Sequence, residues 1–191
     1  MKVSRQEAAA NRERIVEVAS RLFRKQGFAG TSVADLMSGA GMTHGGFYGH
    51  FASKDHLAAE ACDRALSHAT RKWTAIAEDS DDDAFRALVK SYLSKERVAS
   101  PESGCALAAL GPEAAREGKP VRLALSRGLD ALLAILAKAV PGRSRKDKRQ
   151  RSIAAMSEML GAIVLARCAH EPAFAEEILE IATADLLARF S

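Results

Sequence analysis

Thr31-Ser32-Val33-Ala34-Asp35-Leu36-Met37-Ser38-Gly39-Ala40-Gly41-Met42-Thr43-His44-Gly45-Gly46-Phe47-Tyr48-Gly49-His50-Phe51-Ala52-Ser53-Lys54-Asp55-His56-Leu57 is the stretch on which the reading of this chain turns. Thr31 and Ser32 are N-cap residue types, and Asp35 follows Ser32 by three, a short-armed relative of the capping box. Val33, Leu36 and Met37 form one apolar stripe at helical spacing. Ala40-Gly41-Met42 supplies a turn in which Gly41 is free to take positive φ. Thr43 is placed to cap a second short helix, with Phe47 and Phe51 on one face and Tyr48 and His50 on others. Two short helices around a glycine turn are the layout of a helix-turn-helix, which lays its second helix in the DNA major groove. The plain alternative is an ordinary helical hairpin with polar ends.

Glycine content weighs against that alternative. Gly45, Gly46 and Gly49 fall within the short second helix, and each costs roughly 1 kcal/mol against alanine in a helix interior. A helix kept for packing alone would gain from losing them, whereas one pressed into a groove needs its backbone to approach closely.

Upstream, Ile15, Val18, Ala19, Leu22 and Phe23 follow the spacing of an amphipathic helix that Gly27 stops. Arg12, Arg14, Arg21, Arg24 and Lys25 occupy its other faces, either as a solvated surface or as phosphate contacts. The pattern Phe47-Tyr48-Gly49-His50-Phe51, followed by Ser53-Lys54-Asp55 and Leu57, resembles the end of the recognition helix in TetR-family transcriptional regulators. Ile15, Ala19, Leu22, Phe23, Gly27-Phe28 and Thr31-Ser32-Val33 fit the same family, so the resemblance covers roughly residues 12–60.

The resemblance implies an all-α fold: an N-terminal three-helix helix-turn-helix DNA-binding domain, residues 1–53, and a larger C-terminal helical bundle for ligand binding and dimerisation, residues 54–191. It implies phosphate contacts from Tyr48 and His50, and from Lys54 at the start of the next helix. Thr31, Ser32 and Thr43 sit at helix N-termini, where hydroxyls and backbone N–H groups suit phosphate. His44, Gly45 and Gly46 occupy the base-reading positions, and of these only His44 has a side chain that can hydrogen-bond a base edge. Readout then leans on His44, backbone approach and DNA shape.

The 191 residues suffice for one or two small domains, and a net charge of +4 with a pI near 9.1 is compatible with an anionic partner. The polar N-terminus carries no signal-peptide pattern and no apolar run approaches a membrane span, so a cytoplasmic protein without membrane attachment is expected. Cys62, Cys105 and Cys168 are too scattered for a disulfide framework, and no zinc-ligand spacing occurs; neither metal nor cofactor is expected.

Beyond residue 57 the period stays helical. One helix is expected from about Lys54 to Ala77, then an acidic loop, Glu78 to Asp83, capping a helix near Ala84 to Val98. Cys105 to Leu110 reads as a short helix broken at Gly111-Pro112, and Val121 to Val140 as a longer one. Arg143 to Arg151, with six cations against Asp147, reads as a solvated basic connector rather than a second DNA contact. Helices near Gln150 to Cys168 and Pro172 to Phe190 follow, joined tightly enough to be antiparallel.

The broad apolar faces of those last helices, Ile153, Met156, Leu160, Ile163 and Val164 on one and Phe174, Ile178, Ile181 and Leu186 on the other, are the expected homodimer interface. A single short recognition helix touches few bases, so readers of this type pair across a two-fold axis on double-stranded, palindromic sites. The family resemblance further implies a pocket for a small-molecule effector, with Trp73, Tyr92, Leu107, Leu110, Leu129 and Met156 as candidate lining, although each taken singly reads first as closed core. Cys105, after Gly104 at a helix start, resembles the thiol of a subgroup that senses electrophiles or oxidants; the favoured reading of the residue is a small buried hydrophobe. The expected function is thus a non-enzymatic, sequence-specific repressor released from its operator by a small apolar or reactive molecule. A ligand-free architectural DNA binder is the alternative. A thiol enzyme pairing Cys105 with His44, His50, His68 or His170 has no motif to hold it together.

Overall fold

The computed structural model describes residues 4–80 and 83–190; Asp81 and Asp82 of the acidic run, residues 1–3 and Ser191 lie outside them. Helix α1, Arg5–Gln26, starts where the Ser4 hydroxyl and the Glu7 carboxylate satisfy each other's backbone N–H groups, and it stops at Gly27, whose φ of 77° is left-handed. Helix α2, Val33–Gly39, opens on the same reciprocal device, here Ser32 with Asp35. Gly41 turns the chain at φ 72°. The next element, His44–Gly49, is a tight 3₁₀ helix, and α3, Lys54–Glu78, follows from Ser53, whose hydroxyl accepts the His56 N–H.

The apolar stripes of these elements share one core. Ile15, Ala19 and Phe23 of α1 meet Leu36 and Met37 of α2, Phe47, Phe51 and Leu57, all buried. Burying each of the larger side chains contributes about 1.5–3 kcal/mol. Phe47 and Phe51 face this core, which leaves Tyr48 turned outward.

The rest is also helical: α4, Ala84–Tyr92; α5, Lys95–Ala99; α6, Ala106–Ala114; α7, Lys119–Ala139; α8, Arg145–Cys168; α9, Pro172–Arg189. The described residues are all-α, with no strand. Helices α3 and α7 form a central seam, closest where a Cβ on Gly128 would lie 2.3 Å from Leu66 Cδ1 and 2.6 Å from Leu66 Cβ. No helix among the described residues is long and apolar enough to cross a membrane.

Three segments depart from the sequence expectation. The helix anticipated over residues 84–98 is two, because Leu93 leaves helical geometry (ψ 61°) to bury its side chain. The break anticipated at Gly111-Pro112 is absent: α6 runs through both. Proline in a helix interior costs about 3 kcal/mol; the last turn is held against this by Glu113, whose carboxylate accepts the Phe28 N–H at 3.0 Å. The basic stretch 143–151 is no loop. Ser144 caps α8 by accepting the Asp147 N–H at 3.1 Å, and Asp147 in turn accepts from the Arg143 N–H at 2.8 Å and Arg151 Nε at 3.1 Å. Of the acidic run, Asp83 at the N-cap of α4 makes no capping side-chain hydrogen bond and pairs with Arg86; Asp81 and Asp82 lie outside the described residues.

The expected interface residues divide. Met156, Ile163 and Leu186 are buried inside the chain's own core and are corrected to core positions, since the apolar faces of α8 and α9 are wide enough to pack inward first. Leu160, Val164 and Ile178 are half-buried. Ile153, Phe174 and Ile181 stay outside, the last two 54% and 62% exposed, together with Leu165, which the sequence reading missed.

Candidate nucleic-acid interface

The 3₁₀ helix projects from the reader with its polar side outward. Tyr48 is 72% exposed, with its ring edge-on against Phe47 at 5.2 Å between centroids, so the buried phenylalanine supports the exposed tyrosine. His44, Gly45 and Gly49 are exposed beside it, and Gly46 and His50 are half-buried. A Cβ added at Gly45 or Gly49 would meet nothing within 4 Å, and one at Gly46 only Met37 Cε at an ordinary 3.5 Å. Neither packing nor a positive φ requires glycine at these three positions. The resulting surface is a bare backbone strip flanked by an imidazole and a phenol.

The remaining candidate residues are less uniform. Thr43 occupies the N-cap position of the 3₁₀ helix, exposed, and its hydroxyl makes no capping hydrogen bond. Ser32 is exposed, yet its hydroxyl is engaged, donating to the Asp35 carboxylate at 2.6 Å and accepting the Asp35 N–H at 3.1 Å. The Ser32 hydroxyl, with the Ser32 backbone N–H that donates to the same carboxylate at 2.9 Å, holds the Asp35 carboxyl below the ordinary aspartate value. Thr31 is fully buried, and its hydroxyl donates to the Gly27 carbonyl at 2.8 Å. Its side chain therefore braces the α1–α2 link and offers no donor to a ligand, a correction to the sequence expectation. Lys54 donates its ammonium to the Phe28 carbonyl, fixing the start of α3 against the same link.

Two cations of α1 also turn out to be committed. Arg12 pairs with Glu60 and lies over the Phe51 ring at 4.7 Å. Arg24 donates to Ser20 O at 2.8 Å and, across the molecule, to Gly104 O at 2.9 Å; burial draws its pKa below the ordinary arginine value. Glu113 makes the second long-range tie: besides its bond to Phe28, its Oε1 lies 2.5 Å from where a Gly27 Cβ would be. Both ends of the α6 region thus hold the reader. No local pattern in the sequence marks either contact.

The candidate effector lining gathers differently. Trp73, Tyr92, Cys105, Leu110 and Met156 are buried, and Leu107 and Leu129 are half-buried and packed on the same core. None of the seven lines the main open cleft, whose cavity of about 560 Å³ lies between α5, the end of α8 and the start of α9. They pack as core, with Trp73 and Tyr92 edge to face at 5.7 Å between centroids. The exception to dry packing is polar. The buried Arg167 Nε has no hydrogen-bond partner, and the buried Tyr92 hydroxyl lies beside the Cys105 thiol. Burial, with Cys105 adding, raises the Tyr92 pKa. Cys62 is buried too, which pushes its thiol up to about 12, while Cys168 is exposed at the end of α8.

Comparison with known proteins gives the reader a relation. Residues 15–61 match the family model described as bacterial regulatory proteins, tetR family. Over 68 residues the chain is 40% identical to the uncharacterized HTH-type transcriptional regulator YerO of Bacillus subtilis, covering 36% of this chain and 24% of that protein. Over 80 residues it is 38% identical to the HTH-type transcriptional regulator TtgR of Pseudomonas putida, covering 42% and 37%. The matched part therefore spans well under half of either relative. A solved TetR-family regulator from Cytophaga hutchinsonii superposes over 100% of this chain and 98% of its own, with a TM-score of 0.79 at 22% identity, which is a likeness of fold.

Proposed function

We propose that this chain, whose residues 15–61 match the tetR family model, is a TetR-family, homodimeric, sequence-specific DNA-binding repressor, released from its operator by a small molecule. One observation carries the DNA-reading part: glycines sit where internal packing leaves them free, between exposed His44 and Tyr48. Residues 1–53 act as the reader and 54–191 as the responding and dimerising part. Tyr48 and His50, Thr43 and the backbone at Ser32 and Lys54 hold phosphates. His44 reads a base edge, while Gly45 and Gly46 let the backbone approach. No catalytic step is assigned, and the work is done in the cytoplasm, where such a reader meets DNA.

Pairing is supported by the large apolar side chains left outward on the last two helices, Ile153 on α8 and Phe174 and Ile181 on α9. Leu160, Val164 and Ile178 complete the pairing face. Two-fold pairing through these helices presents two readers to successive half-sites.

The deciding experiment is fluorescence anisotropy of the purified protein on DNA flanking its own gene, over a salt series, with unrelated DNA as control. The expected result is selective binding at two protomers per site, with a steep salt slope. His44→Ala is expected to narrow the gap between operator and control DNA, and Tyr48→Phe to weaken both alike. Sedimentation of Phe174→Arg/Ile181→Arg as a monomer, against a wild-type dimer, tests the pairing. Binding to flanking DNA no tighter than to the control, repeated across genome-wide selected fragments, overturns the reading.

A further inference from the structure

The cleft between α5, the end of α8 and the start of α9 has the size of a small-molecule site, about 560 Å³. Val98, Ala166, Ala175 and Leu179 give it apolar walls. Of its charged lining, Lys95 and Glu176 are paired with each other, which leaves Arg167 as the cation without a carboxylate among the lining residues. Arg167 donates Nη2 to the Arg97 carbonyl at 2.8 Å, but its Nε is buried without a partner. The guanidinium at the cleft wall thus lacks an acceptor for one donor and gains it by turning toward a carboxylate, whose two oxygens match its fork.

We propose that this cleft binds a small organic carboxylate with an apolar body, its charge held by Arg167 and its body lying on the walls from α8 and α9. The inference rests on the repressor reading only for its consequence, release of DNA. On α9, Glu176 and Leu179 lie on the side away from Phe174 and Ile181. The site is also wired to the reader. Arg167 Nη2 lies 2.9 Å from where a Cβ on Gly104 would be, and the Gly104 carbonyl is the acceptor for Arg24 of α1. An anion that draws Arg167 into the cleft acts next to the bond that ties α1 to the α6 region.

The test is calorimetric titration of the full-length protein, free of DNA, with 2-naphthoate and with its neutral isostere 2-naphthamide. Expected are one naphthoate per chain and a preference for the acid over the amide of about tenfold or more. Arg167→Gln is expected to erase the preference while leaving amide binding within about twofold. Ala175→Trp, which fills the apolar end and leaves Arg167 in place, is expected to weaken both probes about tenfold, and it carries the test if Arg167→Gln does not fold. Equal affinity for acid and amide, an acid affinity unchanged in both variants, or no heat from either probe at millimolar concentration overturns the proposal. Loss of naphthoate binding alongside intact operator binding leaves the DNA reader standing. Saturable naphthoate binding by a protein that selects no DNA fragment upholds the cleft and removes the repressor.

Discussion

A side chain added at Gly45 or Gly49 of the 3₁₀ helix would find nothing within 4 Å, whereas one at Gly128 of α7 would drive into Leu66 at 2.3 Å. In the central seam glycine is demanded by the fold, because α3 and α7 approach too closely for any Cβ. In the 3₁₀ helix neither packing nor backbone conformation makes such a demand, which is what the proposed close approach to DNA would account for. The contrast separates residues that stability explains from residues that it leaves unexplained, and it can be attacked from both ends.

The largest effect belongs to the seam. Gly128→Val is expected to lower stability by about 3 kcal/mol, the upper range for overpacking, read as a shift in the urea midpoint; a neutral result would mean the seam can open without loss. Gly27→Ala comes next. It combines a left-handed φ, worth about 1–2 kcal/mol, with displacement of the Glu113 carboxylate. Thermal unfolding should show the loss, and Glu113→Ala should remove part of it in a double-mutant cycle. Gly45→Ala should do the reverse of Gly128→Val. It is expected to raise stability by about 1 kcal/mol while weakening operator binding roughly tenfold, about 1.4 kcal/mol. A stabilised protein with undiminished affinity would remove close approach as the purpose of the glycine. The smallest effect is electrostatic. Asp35 is depressed in the folded state by its bonds to Ser32, so its stabilising contribution is full above the ordinary aspartate value of 3.8 and is lost as pH falls through the lower folded value. The difference in melting temperature between wild type and Asp35→Asn should therefore be constant at neutral pH and close on acidification below 3.8.

The reader was largely legible because its signals are local. Ser32 and Asp35, Gly41, and the Phe47–Phe51 pair each act on neighbours within a few residues, so their spacing carries the structure. Thr31 misled because a hydroxyl two residues ahead of a helix looks like a cap, and only the bend at Gly27 shows that it points inward. The bundle is less legible for a physical reason. An apolar residue at helical spacing reads alike whether it fills the core, like Met156 and Leu186, or faces out, like Phe174 and Ile181. The basic run 143–151 hid a capping pair, Ser144 with Asp147, under six cations. The cleft is assembled from Lys95, Arg167 and Glu176 on three helices far apart in sequence, and no local pattern announces it.

Cys168 has a practical consequence. Its thiol is exposed at the end of α8, while Cys105 is buried and Cys62 is both buried and pushed up to about 12. A thiol-reactive nitroxide offered to the native chain therefore goes to one position per protomer, with no cysteine to engineer away. If two chains pair through α8 and α9, the spin–spin distance between two such labels is a ruler laid across the assembly. Read with and without DNA, and with and without an anion in the cleft, it would report in ångströms how far the two halves move apart.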